Sequence, residues 1–165
     1  MAQISLARVD FRLIHGQIIV KWRKVFEVNK IIVIDDILAC DEFMTRVYAS
    51  AAPVDVVVKV YSEEKASRLW GKNQFGQGRV MLLFKDIATC CRMIRSGLPI
   101  EEVQLGGVPH TEEKKVIMKA VSLGEGEVSL MQETHDDYDV NFVIQVVPEN
   151  TKMEYEEIMK AFNNK

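Results

Sequence analysis

Apolar runs rich in β-branched residues recur along this chain, and stretches with helical spacing separate them. No other feature constrains the fold as much. The clearest run, Ile31-Ile32-Val33-Ile34, offers no polar residue to water and ends in two acids, Asp35 and Asp36. A strand that is apolar on both sides belongs in a parallel sheet covered by helices on both faces. Comparable runs lie at 4–9, 55–61, 79–84, 103–105 and 141–147. Helices are expected over 18–28, 41–51, from Ser62 onward, over 86–96, 125–134 and 151–162, with Asp86 and Ser62 as caps. Residues 71–78 and 106–110 read as loops, and 116–123 reads as a strand in its second half. The expectation is one domain over 1–165: an α/β fold with an open, mostly parallel sheet of six to seven strands and helices on both faces.

Several function classes drop out early. Net charge is −3 and the basic residues are dispersed, so no nucleic-acid footprint is expected. The sequence holds no eighteen-residue apolar span and no basic leader. Cys40, Cys90 and Cys91 have no zinc spacing and read as small buried hydrophobes in a reducing compartment. His110 and His135 are isolated, so neither a metal nor a cofactor is expected. No G-x-G-x-x-G and no G-x-x-x-x-G-K-[ST] follows a strand. Asp35 and Asp36 read as helix caps rather than magnesium ligands.

What remains is the segment after the first run. His15 stands where a strand ends and a helix begins, with Arg8 and Arg12 shortly before it and Gly16 directly after. Free N–H groups and the positive end of a helix dipole make such a junction a seat for an anion. The arginines suit phosphate oxygens, Gly16 leaves room for a partner, and Asp10 can orient an arginine or the imidazole. A plain loop histidine on a solvated face is the other reading. Ligands in open α/β sheets sit beyond the carboxyl ends of strands, where Asp35-Asp36, Lys85-Asp86 and Gly106-Gly107 are also expected.

The run ARVDFRLIHGQI, with Trp22 after it, resembles the active-site segment of the IIB components of the mannose/fructose/sorbose family of bacterial sugar phosphotransferase systems, typically R-[IV]-D-D-R-x-I-H-G-Q. The similarity continues through IIVIDD, AAPVDVVVKV, MLLFKD, GLPIEEVQLGGV, KAVSL and VIQVVP, in order, across nearly the whole chain. The resemblance implies that His15 accepts a phosphoryl group from a IIA phosphohistidine, at Nδ1, and passes it to a sugar held by membrane IIC/IID components. By the same resemblance Arg8, Arg12 and Gln17 match the positions around the phosphohistidine and Asp10 the first acid of the family's pair. Arg8 and Arg12, with the N–H groups near Gly16 and Gln17, are expected to stabilise the phosphoryl group, and no cofactor is expected. The resemblance also implies a homodimer in the cytoplasm, associated with the inner face of the membrane through IIC/IID. Phe11 departs from the pattern, standing where the family usually has a second Asp. Two other classes stay open: an adaptor that binds phosphorylated partners without relaying phosphate, and a small-molecule site on the Gly106–His110 loop.

Overall fold

Each long apolar run becomes a strand, and two further strands form between the fifth and sixth runs. The computed structural model describes residues 1–165. Its strands are β1 (Gln3–Asp10), β2 (Lys30–Ile34), β3 (Val57–Tyr61), β4 (Arg79–Phe84), β5 (Glu102–Gly107), β6 (Lys115–Met118), β7 (Val121–Leu123) and β8 (Asn141–Ile144). Six of them form one sheet in the order β3-β2-β4-β1-β5-β8, with every neighbouring pair parallel. β6 and β7 pair antiparallel as a separate hairpin.

The helices follow the same logic. The first, α1, is a wide π turn at Ile18–Trp22 that runs into an α turn at Arg23–Val25. After it come α2 (Asp36–Ala39), α3 (Glu42–Ala51), α4 (Glu63–Asn73), α5 (Ile87–Arg95), α6 (Glu125–Tyr138) and α7 (Tyr155–Asn163). Asp35, Asp41, Ser62 and Asp86 each accept a hydrogen bond from a backbone N–H in the first turn of the following helix. These caps satisfy donors that a helix start leaves open.

Alternation along the strands divides the interior in two. Val80, Leu82 and Phe84 of β4 face one core with Ile32 and Ile34, under Ala66 of α4, Ile87–Ile94 of α5, Met131 of α6 and Ile158 of α7. Met81 and Leu83 face the other core with Ile31 and Val33, under Ile18 and Trp22 of α1. Each such fully buried aliphatic or aromatic side chain contributes about 1.5–3 kcal/mol. On β1, Ala7 and Val9 point to the first core and Leu6 to the second. By parity Arg8 and Asp10 share the face of Leu6, so the chain folds two charged residues beneath α1.

Several expectations are corrected. α4 runs through Gly71 to Asn73, and the turn after it uses left-handed Gln74 and Phe75, with Phe75 buried. Residues 115–123 form both strands of a hairpin rather than one. Gly106 and Gly107 belong to β5 rather than to a loop. The last parallel strand stops at Ile144, three residues before Val147, and the last helix starts at Tyr155 rather than near Thr151. Cys40 is exposed at the end of α2, unlike Cys90 and Cys91, because the short α2 buries none of its residues.

Candidate active site

β1 lies between β4 and β5. Its exit leads to α1 on one face of the sheet, while β4 and β5 lead on toward α5 and α6 on the other. Neighbouring strands that leave toward opposite faces open a crevice at their carboxyl ends, where such sheets bind ligands. The chain turns tightly there: Leu13 N–H donates to the Asp10 carbonyl at 2.9 Å, and Leu13 takes a left-handed φ of 58°. That conformation is costly for a branched residue, and the burial of the Leu13 side chain among Ile14 and Ile18 holds it in place.

The turn folds two arginines and a histidine around one carboxylate. Asp10 Oδ2 accepts from Arg8 Nη2 at 3.2 Å, Arg12 Nη2 at 3.0 Å and His15 Nε2 at 3.0 Å. Asp10 Oδ1 accepts from the backbone N–H of Arg12 at 3.1 Å and from its Nε at 3.0 Å. Asp10 and Arg8 are fully buried, His15 is 16% exposed and Arg12 39% exposed. Burial alone would raise the Asp10 pKa. The hydrogen bonds from His15 and Arg12 and the Arg8 charge outweigh it and hold the carboxyl well below the usual carboxylate range.

An ionised carboxylate only accepts hydrogen bonds, so the ring proton of a neutral His15 sits on Nε2. Nδ1 then carries the lone pair, and it has no hydrogen-bond partner in the chain. Gly16, Gln17 and Ile18 open the helical stretch that follows, where the first N–H groups lack intrahelical partners. His15, Gly16, Gln17 and Arg12 line one shallow groove, and Gln17 Oε1 is buried without a partner. The Arg12 guanidinium uses Nε and Nη2 on Asp10 and leaves Nη1 free. The arrangement is a nucleophilic nitrogen beside a partly exposed, fixed cation.

Arg8 differs from its sequence reading. Its guanidinium is sealed inside, where Nη1 donates to Gln104 Oε1 and to the Gln145 carbonyl (2.9 Å), and Nη2 to the Val146 carbonyl (3.1 Å). The Trp22 ring lies 5.3 Å from its Cζ, and Trp22 Nε1 donates to the same Val146 carbonyl at 3.1 Å. Burial pushes the guanidinium down to about 10 against the pull of Asp10, which leaves it charged at neutral pH. With no exposed surface, Arg8 meets no phosphate directly and reaches the site only through Asp10. Asp35 and Asp86 spend their carboxylates on helix caps, so of the three loops expected near His15 only Gly106-Gly107 meets the cluster.

The sequence profile described as the phosphotransferase-system sorbose subfamily IIB component matches residues 4–165. The chain belongs to the sorbose-type IIB family. This IIB chain is 31% identical over 160 residues to the fructose-specific EIIB component of Bacillus subtilis, covering 97% of this chain and 98% of that one. It superposes on the crystal structure of manxB from Thermoanaerobacter tengcongensis with a TM-score of 0.90 at 41% identity, over 97% of this chain and 96% of that one. Against the IIBSor domain of the sorbose permease from Klebsiella pneumoniae the TM-score is 0.88 at 33% identity, with 98% and 97% covered. No helix of this IIB chain is long and apolar enough to cross a membrane.

Gln104 is the site residue that sequence reasoning passed over, whereas Gly106-Gly107 was expected near His15 but as a loop rather than as the end of a strand. A lone glutamine in an apolar strand and paired glycines at its end signal a polar group packed close against backbone. A methyl group on Gly106 would overlap the Arg8 guanidinium, and one on Gly107 would lie 2.7 Å from Asp10 Oδ1. Gly106→Ala in the IIB chain is therefore expected to break the buried Arg8 bonds and cost about 3–5 kcal/mol of stability. At Gly16 an added Cβ meets nothing, so Gly16→Ala is expected to change stability by less than about 1 kcal/mol. Urea unfolding of both variants checks the contrast.

Proposed function

We propose that this chain is the phosphocarrier IIB subunit of a sugar phosphotransferase system, with His15 as the transient phosphoryl acceptor. One observation carries the reading: Asp10 holds Nε2 of His15 and leaves Nδ1 as a free nucleophile beside Arg12. A IIA phosphohistidine approaches, its N–P bond breaks, and the electron pair stays on the donor nitrogen. The Nδ1 lone pair of His15 forms the new N–P bond, and the ring gains positive character that the Asp10 carboxylate offsets. Arg12, through its free Nη1, and the N–H groups near Gly16 and Gln17 stabilise the equatorial oxygens in transfer. Arg8 is a positioning residue, fixing Asp10 from below.

His15 then yields the phosphoryl group to a hydroxyl of a sugar bound by membrane IIC/IID components, so uptake and phosphorylation are coupled. Transfer between macromolecules needs a site at the surface, and the shallow groove around His15 suits it. On this reading the subunit works in the cytoplasm at the inner face of the membrane, as a homodimer in line with the family. Incubation with phosphoenolpyruvate, the general phosphotransferase proteins and a IIA protein of this family tests it. Stoichiometric, acid-labile phosphate on the chain is expected. A chain that stays unlabelled by a IIA that is itself phosphorylated contradicts the reading.

A further inference from the structure

Phe11 has no part in the transfer chemistry, yet its position is closely fixed. Its N–H donates to the Gly107 carbonyl at 3.1 Å, which extends the β1–β5 pairing by one residue. The ring rests against Gly107, is 41% exposed, and has the Arg12 guanidinium carbon 6.0 Å from its centroid. It lines a cleft of about 690 Å³ together with Val108, Pro109 and Lys119-Ala120 of the β6–β7 turn. The lining surface is mostly apolar. Its charged or titratable groups are Arg12, Lys119 and His110, and no carboxylate lines it, in a chain whose net charge is −3. Lys119 has no ion-pair partner, and His110 holds Ser122 Oγ at 3.2 Å.

The cleft and the His15 groove are neighbours, with Arg12 lining both. A protein that brings a phosphorylated side chain within bonding distance of His15 must lie over Arg12 and meets the cleft next. An apolar floor supplies few partners for sugar hydroxyls, whereas it suits an aromatic or branched aliphatic side chain. A lining whose only fully charged groups are Arg12 and Lys119 suits a carboxylate beside that side chain. Resting on the phosphocarrier reading above, we propose that the Phe11 cleft is the docking socket for the phosphodonor protein: it receives one apolar side chain of the donor, and Lys119 faces an acidic residue flanking it. Phe11 thereby selects the donor rather than assisting the chemistry.

The test compares two donors on the full chain. Phosphoramidate is a small P–N donor that needs no docking, and the phosphorylated IIA protein does. Phe11→Asp is expected to raise KM for phospho-IIA about 30-fold or more with kcat within about threefold, as loss of a central anchor does. Phe11→Ala is expected to act in the same direction, and Lys119→Glu to lower kcat/KM about tenfold at low salt and less at high salt. Labelling by phosphoramidate is expected to stay at the wild-type rate in all three. An unchanged KM for phospho-IIA in Phe11→Asp overturns the docking role while phosphoramidate labelling of His15 leaves the phosphocarrier reading standing. Equal loss with both donors overturns it too, by making Phe11 a prop for the His15 loop. A defect confined to sugar phosphate formation assigns the cleft to the membrane acceptor, and a defect confined to self-association assigns it to a second copy; either result contradicts the proposal. No labelling of wild type by either donor removes the phosphocarrier reading itself.

Discussion

His15→Gln is expected to take up no phosphoryl group under conditions that label the wild-type chain fully. The substitution is gentle on the fold. The His15 side chain is 16% exposed and makes one side-chain bond, to Asp10 Oδ2. A glutamine amide can donate to the same oxygen, so the stability change is expected to stay within about 1 kcal/mol. What disappears is the nucleophilic nitrogen. The two other histidines serve as internal controls. His135 uses Nδ1 as donor to the Val140 carbonyl at 2.8 Å and stacks on Tyr155 with centroids 3.8 Å apart, so its ring is committed to structure. His110 holds Ser122 at the cleft rim. Residual label in His15→Gln at either position would contradict the assignment. Filter-bound radiolabel and intact mass give the same readout independently.

Asp10→Ala is expected to be strongly destabilising, on the scale of Gly106→Ala. It strips the counter-ion from Arg8, whose guanidinium is wholly buried and cannot retreat to water. Removing one partner of a buried pair costs about 3–5 kcal/mol, because the remaining charge is left uncompensated. Asp10→Asn keeps the volume and is the more informative variant. Its amide no longer enforces the Nε2–H tautomer of His15, and phosphoryl transfer is expected to slow about a hundredfold or more, the usual scale for a mispositioned reacting group. Linkage gives a second signature. The folded-state pKa of Asp10 is depressed, so its contribution is present in full above the unfolded carboxyl value of about 3.9 and is lost as pH falls toward the folded one. The stability gap between wild type and Asp10→Asn is therefore expected to be largest above pH ~5 and to shrink below pH ~4. A gap that widens in acid would contradict the ion-pair account.

Much of this was legible in the sequence for identifiable reasons. Ile31–Ile34 could only be a strand covered on both sides, and Asp35, Ser62 and Asp86 announced the helix starts they cap. The hairpin was not, since strands of four and three residues joined at Lys119-Ala120 carry no glycine turn signal. Gly71 misled because a glycine can sit inside a helix at modest cost. At the site, His15, Arg12 and Asp10 are near neighbours in sequence, and the turn that joins them is local. Arg8 is the counterexample. Its partners Gln104, Gln145 and Val146 lie about a hundred residues or more away, brought in by β5 and β8. Local pattern said arginine and so phosphate; the sheet order made it a buried prop instead.

The same geometry fixes which nitrogen reacts. Long-range ¹⁵N–³¹P correlation on the phosphorylated, ¹⁵N-histidine-labelled chain reads the bonded atom directly. The expected result is one phosphoryl group on Nδ1 of His15, with Nε2 still protonated and facing Asp10. A phosphoryl group on Nε2 of His15, or on His110 or His135, would contradict it.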